Sequence, residues 1–239
     1  MLVLALDTAT QSVVVGVVEI SAPAESGWHT SGLRAAADVF SGNRHAETLG
    51  QLIPDVLSEA GIGMLDLAAV VVGLGPGPFT GLRIGIVTAA ALGDALGRPV
   101  YGVCTHDAIA AMHQALAGSV PGGTTVPADG LVVVTDARRR ECYWSTYDAS
   151  GARTRGPNVA RPADLLTSPD WRPDALVIGN PDFSQALGTE VLAAQPDPMG
   201  LVLAATGLAS GQAPGPLEPL YLRLPDASPP AARKPVTRA

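Results

Sequence analysis

The sequence predicts an α/β protein of two lobes, each with a mixed β-sheet flanked by helices. The chain has 239 residues, 47% of them hydrophobic, which is enough for two lobes with cores of their own. Short valine-rich runs alternate with segments of helical period. A strand–turn–strand pattern opens the chain and recurs near residue 131, and each copy carries an acidic residue at its turn, Asp7 and Asp136.

The first half of the sequence is predicted to be rich in strands. Predicted strands lie at residues 1–6, 12–20, 33–40, 68–74 and 100–103, and predicted helices at residues 46–60, 80–96 and 105–117. Pro54 lies inside the first helix and is expected to kink it or to force a tight neighbour. Thr80 is expected to cap the second helix, and Gly97 to end it.

The second half repeats the strand hairpin and then turns helical. Predicted strands lie at residues 131–135, 141–147 and 175–178, predicted helices at 181–194 and 200–210, and a loop at 118–130. We therefore expect an N-terminal lobe at residues 1–101 and a C-terminal lobe at 102–224. Residues 225–239 are rich in Pro and Ala and are predicted to be a disordered tail. Two such hairpins, each aiming an aspartate at a central cleft, form the plan of actin-like proteins.

The predicted helix at residues 80–96 is apolar on nearly every side. Leu82 and Ile86 lie on one side, and Ile84 and Ala91 on another. Such a helix needs burial on two sides. We expect the sheet of its own lobe to supply one, and another helix or another protein to supply the second.

Charge and cysteine content exclude several classes of protein. The net charge is −7, so bulk charge does not attract nucleic acid, and the only basic run, Arg138–Arg140, is typical of a solvated loop. Cys104 and Cys142 lack metal-ligand spacing, as expected in a reduced cytosolic protein. The sequence shows no signal peptide and no uncharged apolar stretch of about 18 residues, so we expect a cytoplasmic protein without a membrane span.

The most distinctive segment runs from Gly75 to Gly85, between a strand and a helix, and reads GPGPFTGLRIG. A glycine-rich turn before a helix can hold an anion with its free N–H groups. It can equally be a tight turn that lets the helix pack closely. The segment fits neither the Walker A pattern nor the GxGxxG pattern.

Polar turns at three strand ends suggest a nucleotide site. Asp7 and Thr8 could meet phosphates, with Asp7 holding Mg²⁺ through water, and Asp136 and Gly179 could approach from the second lobe. The alternative is that each aspartate only caps its own turn.

Histidine and serine patterns do not favour metal or hydrolytic chemistry. Of the four histidines, no two stand at i, i+4, and no GxSxG motif occurs. His45 with Glu47 is better explained as capping of a helix start. We therefore predict no catalytic residue and no metal ligand.

Five segments together resemble the TsaB (YeaZ) family. They are Asp7–Thr10, the start His45–Glu47, Gly75–Gly85, the turn Asp136–Arg138 and Pro219–Arg223, and they span nearly the whole chain in order. The usual motif has Ser where this chain has Pro78. The resemblance implies the two-lobed actin-like ATPase fold that sugar kinases and Hsp70 share. An older label for the group is the M22 glycoproteases.

The resemblance also implies a role in the synthesis of threonylcarbamoyladenosine in transfer RNA, beside the anticodon. In that family the paralogue TsaD carries out the transfer, TsaE is an ATPase, and TsaB binds TsaD through helices of its first lobe. TsaD-like proteins hold metal at H-x-x-x-H spacing. Here His106 is followed four residues later by Ala110, so the metal pair is missing.

We therefore predict a non-catalytic subunit that reaches tRNA only indirectly, through a heterodimer with TsaD and through TsaE. A homodimer could form when the partner is absent. No cofactor is assigned, although ATP or ADP with Mg²⁺ could bind at or near the partner interface. The alternative is a stand-alone actin-like ATPase or kinase. The predicted interface residues are Leu49, Ile53, Leu82, Ile84, Ala91 and Ala95, and the family motif loop comprises Gly75, Gly77, Phe79, Thr80, Gly81 and Arg83.

Overall fold

The computed structural model describes residues 1–24, 27–42, 44–117 and 126–223. Its strands are β1 (Leu2–Asp7), β2 (Ser12–Ala24), β3 (Gly27–Phe40), β4 (Leu67–Gly73), β5 (Val100–Val103), β6 (Leu131–Asp136), β7 (Cys142–Tyr147), β8 (Arg153–Ala160), β9 (Leu176–Gly179) and β10 (Leu192–Ala193). Its helices are α1 (His45–Glu59), α2 (Phe79–Leu96), α3 (Thr105–Ala117), α4 (Pro162–Leu166), α5 (Ser184–Leu187), α6 (Pro198–Ala204) and α7 (Thr206–Ala209).

The strands form two five-stranded sheets of identical topology. The first sheet has the order β3-β2-β1-β4-β5, and the second has β8-β7-β6-β9-β10. In each sheet the first three strands in sequence pair antiparallel, and the last two run parallel to the first. This repeated mixed sheet confirms the predicted fold class.

The helices of the first lobe follow the sequence pattern, with two differences. Helix α1 runs unbroken through Pro54, whose side chain is exposed. Pro78, not Thr80, is the N-cap residue of α2, so the predicted cap is wrong; the extended backbone that Pro78 adopts suits that position. Gly97 ends α2 as predicted, in the left-handed conformation with φ of 61°.

The second lobe departs further from prediction. The single helix predicted at 181–194 is wrong, because a short 3₁₀ turn (Pro181–Phe183), α5 and β10 occupy this segment. Gly188 ends α5 with φ of 64°, and the Ser184 hydroxyl accepts a hydrogen bond from the Val191 N–H. Strand β8 was not predicted. It is an edge strand with several exposed positions, so it lacks the apolar alternation that reveals a strand.

The cores of the two halves are not separated at the predicted boundary between residues 101 and 102, which falls inside β5. Side chains of α6 and α7, including Leu201 and Leu208, pack with Val71 on the face of the first sheet opposite to α1 and α2. Helix α3 contributes Ala108 to this cluster and Ile109 to the core of the second sheet. The chain therefore returns to its first lobe near its end. The predicted tail at 225–239 lies outside the described residues.

Within the described residues, α2 alone is long and apolar enough to meet a simple test for a membrane-spanning helix. Core helices of globular proteins have the same length and composition. One face of α2 packs on the first sheet through Leu82, Ile86 and Ala89.

Candidate functional site

A cleft of about 380 Å³ lies between the two lobes. It opens where β1 and β6 end, so the turns after these strands form its walls. The first lobe contributes Thr10, Gln11, Ser12, Phe40 and Pro78 among others, and the second contributes Thr135, Asp136, Arg138, Gly179, Asn180 and Asp182 among others. Asp136 and Gly179, predicted as nucleotide contacts, therefore line the cleft.

Asp7 does not line the cleft, which corrects its predicted role. Its carboxylate is fully buried and accepts hydrogen bonds from the Ala9 N–H and the Thr105 hydroxyl, both at 2.6 Å. Burial raises the pKa of Asp7 from 3.8 to about 6, although these two hydrogen bonds lower it. With both oxygens engaged and no exposed surface, this carboxylate ties β1 to the start of α3 and cannot reach a hydrated Mg²⁺.

Thr8 is equally inaccessible, so its predicted contact with phosphate is also wrong. Its hydroxyl donates to the Gly81 carbonyl at 2.8 Å and accepts from the Gly85 N–H at 3.1 Å. The side chain therefore fastens the first turns of α2 to the end of β1. Thr8 is almost fully buried, so the remaining lone pair of its hydroxyl oxygen cannot meet a ligand from solvent.

The glycine-rich segment serves close packing. A Cβ atom at Gly77 would overlap the Ala9 backbone, and one at Gly81 would lie 2.6 Å from the Thr8 carbonyl oxygen. Gly75 has φ of 99°, which favours glycine. These contacts support the tight-turn interpretation of the motif over the anion-binding one.

The turn between β6 and β7 presents charge beside the cleft. The Asp136 carboxylate accepts the Arg138 N–H at 2.8 Å and faces the Arg138 guanidinium at 3.6 Å. Arg138, Arg139 and Arg140 all have positive φ, at 63°, 55° and 64°. Sequence reasoning missed this conformation, which a three-arginine turn without glycine does not reveal.

Gly179 lines the cleft with backbone rather than with a functional group. Its φ is 130°, and a Cβ atom there would collide with the Val134 carbonyl oxygen. The glycine allows β9 to end tightly against β6, and Asn180 then enters the cleft.

His106, at the position where a metal ligand was considered, is a buried structural residue. Its two ring nitrogens lie 2.8 Å from the hydroxyls of Ser145 and Thr135. Burial lowers the pKa of His106 to about 3, so the ring is neutral at physiological pH. Among the described residues no group of three or more His, Cys, Asp or Glu side chains could hold a metal ion.

The outer side of α2 presents an apolar surface, here called the open face and defined by Val87, Ala90, Ala91 and Ala95. All four residues are exposed, and Val87 has 64% of its surface accessible. Ala91 and Ala95 are thus accessible as predicted for interface residues, and Ile84 is half-buried beside them.

Three of the predicted interface residues are instead core residues. Leu49, Ile53 and Leu82 are buried against the first sheet and cannot contact a partner. The helical period that made them prominent marks the face that packs inward.

Residues 217–223, here called the C-terminal strap, cross from the first lobe to the second. The Leu220 N–H donates to the Leu74 carbonyl at 2.8 Å. The Tyr221 ring lies 4.9 Å from the Phe79 ring, and the Arg83 Nε donates to the Tyr221 hydroxyl at 2.8 Å. Arg223 forms an ion pair with Glu141 in the second lobe.

The strap gives the family motif residues Phe79 and Arg83 a structural role. Arg83 stacks over the Phe79 ring at 3.8 Å from its centroid. The pair therefore anchors the strap at the first turn of α2. Sequence reasoning noted both segments but did not connect them, because they lie far apart in the chain.

Comparison with known proteins relates the whole chain to one family. Residues 40–190 match the family model described as TsaD, tRNA N6-adenosine threonylcarbamoyltransferase. The Mycobacterium tuberculosis protein Rv3421c is 44% identical over 228 residues, covering 95% of this chain and 94% of that protein. The Escherichia coli tRNA threonylcarbamoyladenosine biosynthesis protein TsaB is 31% identical over 147 residues, covering 62% of this chain and 55% of that protein.

A solved structure matches the fold over nearly the full length of both proteins. YeaZ from Pseudomonas aeruginosa superimposes with a TM-score of 0.68 at 26% identity, covering 92% of this chain and 99% of that one. These matches show that the chain belongs to the TsaB (YeaZ) family.

Proposed function

We propose that this chain is the TsaB subunit of the machinery that makes threonylcarbamoyladenosine in tRNA, and that it binds and activates a TsaD transferase. The observation that carries the proposal is the open face of α2. An exposed valine surrounded by alanines on a helix of 18 residues is a surface on which a second helix can pack closely.

The composition of this face suits a helix partner. Small side chains allow two helix axes to approach within about 8–10 Å. Arg83 and Asp94 lie exposed at either end of the face, so charged pairs at its margin can set the register of the partner. Burial of apolar surface contributes about 25 cal/mol per Å² before the costs of association are subtracted.

A non-catalytic role is part of this proposal. Asp7 is buried, Thr8 fastens α2, and His106 is held between two hydroxyls. These groups therefore maintain the fold and do not face a substrate. A stand-alone ATPase that used the Asp7 carboxylate would need this group in the cleft.

Of the predicted nucleotide contacts, we keep as a proposal only those in the cleft wall of the second lobe. Asp136 and Asp182 line the cleft together with Arg138 and Asn180. Two carboxylates against one guanidinium disfavour a bare polyphosphate, so ATP or ADP would bind here only with Mg²⁺. Cooperation with a TsaE ATPase and a cytoplasmic location complete the proposal.

The first experiment is size-exclusion chromatography with light scattering on this chain alone and mixed with its TsaD paralogue. We expect a heterodimer in the mixture. Val87→Glu should weaken that complex at least tenfold, because a charge would be buried without a partner. Circular dichroism should show an unchanged fold, since Val87 is exposed and Glu is a good helix former.

A matched control is Leu116→Glu on α3, where another helical apolar side chain is exposed at 47%. This variant should bind the paralogue as the unsubstituted chain does. The proposal fails if the unsubstituted chain and the paralogue remain separate with and without nucleotide and TsaE. A homodimer lost in Val87→Glu but no heterodimer would instead assign the open face to self-association.

A further inference from the structure

The arginine turn, Arg138–Arg140, is an unfavourable backbone conformation made from long side chains. Each residue has a φ between 55° and 64°, in the left-handed region that glycine or asparagine enters at lower cost. Residues held in this region cluster at binding sites, where the strain aims side chains at a ligand. Reversal of the chain direction alone does not account for three consecutive arginines in this conformation.

Pairing of charges leaves this end of the second sheet positive. Asp136 faces Arg138, and Glu141 pairs with Arg223, so both acids of the turn are neutralised. Across the described part of the chain, neither Arg140 nor Arg161 has an ion pair.

Arg161 belongs to the same surface because of the strand register. Ala160 of β8 pairs with Cys142 of β7, so Arg161 follows directly beside Glu141 and next to the turn. Both Arg140 and Arg161 are exposed. Asp164 lies one helical turn beyond Arg161 at the start of α4, so its carboxylate offsets part of the charge.

Arginine is suited to phosphate because its planar guanidinium donates two parallel hydrogen bonds to phosphate oxygens. The adjacent cleft is less suited to that phosphate, because Arg138 is paired there with Asp136 and the carboxylate of Asp182 also lines it. Arg140 and Arg161 lie outside the cleft lining, and the carboxylate of Asp164 offsets only part of their charge.

We infer that Arg140 and Arg161 bind the sugar–phosphate backbone of the RNA on which the complex acts. The inference rests on the proposed function, since a chain of net charge −7 needs a partner to hold the RNA close. It adds a direct contact between this subunit and tRNA.

The test uses the complex with the TsaD paralogue and an unmodified tRNA transcript, with binding measured by fluorescence anisotropy at several salt concentrations. Arg140→Asn should weaken binding roughly tenfold, the typical effect of losing a charged hydrogen bond. It should also reduce the dependence of log affinity on log salt by about one unit. The melting temperature should stay equal or rise, because asparagine tolerates positive φ.

Arg161→Gln should also weaken tRNA binding and reduce its salt dependence, and it should leave the melting temperature unchanged. The matched control is Arg98→Asn, which removes the same charge from an exposed site just before β5, in the first sheet and away from the turn. Light scattering on each variant shows whether the heterodimer is intact, and so separates dissociation of the complex from loss of RNA binding.

Unchanged affinity and salt dependence in an intact complex would overturn the inference and leave the proposed function standing. An equal loss in Arg98→Asn would also overturn it, as an effect of net charge alone. Weaker binding of Mg-ATP with tRNA affinity retained would assign the turn to the cleft instead. If no heterodimer forms, the proposed function fails. The contact with tRNA is then tested by crosslinking tRNA to this chain without the paralogue. Equal crosslinking to the unsubstituted chain and to Arg140→Asn would reject the contact as well.

Discussion

Both sheets begin with a hairpin whose first strand ends in an aspartate, yet the two carboxylates lie in opposite surroundings. Asp7 in the first sheet is fully buried and bonded to the Ala9 N–H and the Thr105 hydroxyl. Asp136 in the second sheet lines the cleft and pairs with an exposed arginine. One topology therefore uses the same position as a structural anchor in one lobe and as a cleft wall in the other.

The cause of the difference is what covers each strand end. In the first lobe, α2 and α3 close over Asp7, and their packing requires Gly73 at the end of β4, where a Cβ atom would overlap the Asp7 carboxylate. In the second lobe the corresponding glycine, Gly179, is followed by a short 3₁₀ turn and α5, which leave Asp136 open. Long helices on one sheet thus produce both a buried acid and an exposed apolar face.

The substitution with the largest expected effect breaks the contact between α2 and the end of β1. Gly85→Ala would place a Cβ atom against the Thr8 hydroxyl and disrupt its two hydrogen bonds. We expect a loss of about 3–4 kcal/mol in the free energy of unfolding, measured by urea denaturation.

The control for this substitution is Gly50→Ala on α1, where no atom lies within 4 Å of the new Cβ. It should stabilise the protein by about 0.5–1 kcal/mol, because alanine is the better helix former. Similar values for the two variants would show that α2 can lift away without cost.

The buried aspartate should make stability depend on pH. The folded pKa of Asp7, about 6, lies above its unfolded value near 3.8. Its contribution is therefore fully present below pH 3.8 and is lost as pH rises through 6, by about 3 kcal/mol in total. Asp7→Asn should remove this loss, so the difference in unfolding free energy between the two proteins should change by that amount between pH 3.5 and pH 7.

Thr105→Val sharpens the same comparison. The Thr105 hydroxyl lowers the pKa of Asp7 by donating to its carboxylate. Its removal should extend the loss of stability to higher pH and enlarge it, because the folded pKa rises and the unfolded pKa does not change; urea denaturation at closely spaced pH values measures this. A pH profile identical in all three proteins would mean that Asp7 reaches solvent.

The smallest expected effect concerns the strap that joins the lobes. Tyr221→Ala removes the ring contact with Phe79 and the acceptor for Arg83, and should cost about 1–2 kcal/mol. Tyr221→Phe keeps the ring and should cost about 0.5–1 kcal/mol. Equal melting temperatures for both variants and the unsubstituted chain would show that the strap adds nothing to the joining of the lobes.

Much of the fold followed from local patterns. The bounds of β5 and α3 agree with prediction, and Gly97 ends α2 as expected. The helix predicted at 181–194 failed because its apolar residues serve a turn, α5 and an edge strand in succession. The spacing of apolar residues in this segment carries no information on where the sheet lies.

The sequence could assign the role of a candidate residue only where that role depends on neighbouring residues in the chain. Ala91 and Ala95 are accessible, and their place at a partner interface stays a prediction, made because a second apolar side on a helix is visible in the sequence. Leu49, Ile53 and Leu82 were misassigned because core and interface contacts use the same residue types. The left-handed arginine turn leaves no such signal, since arginine is not a residue type that marks positive φ.

The sequence by itself determined the order of strands and helices as far as α3, the recurrence of the aspartate hairpin and the excess of apolar surface on α2, because periodicity and turn residues act over a few neighbours. Only the tertiary structure decided that Asp7 is an anchor and Asp136 a cleft wall. That choice depends on residues distant in the chain, as with Thr105, 98 positions from Asp7, and burial is a property of the packed molecule rather than of the residue.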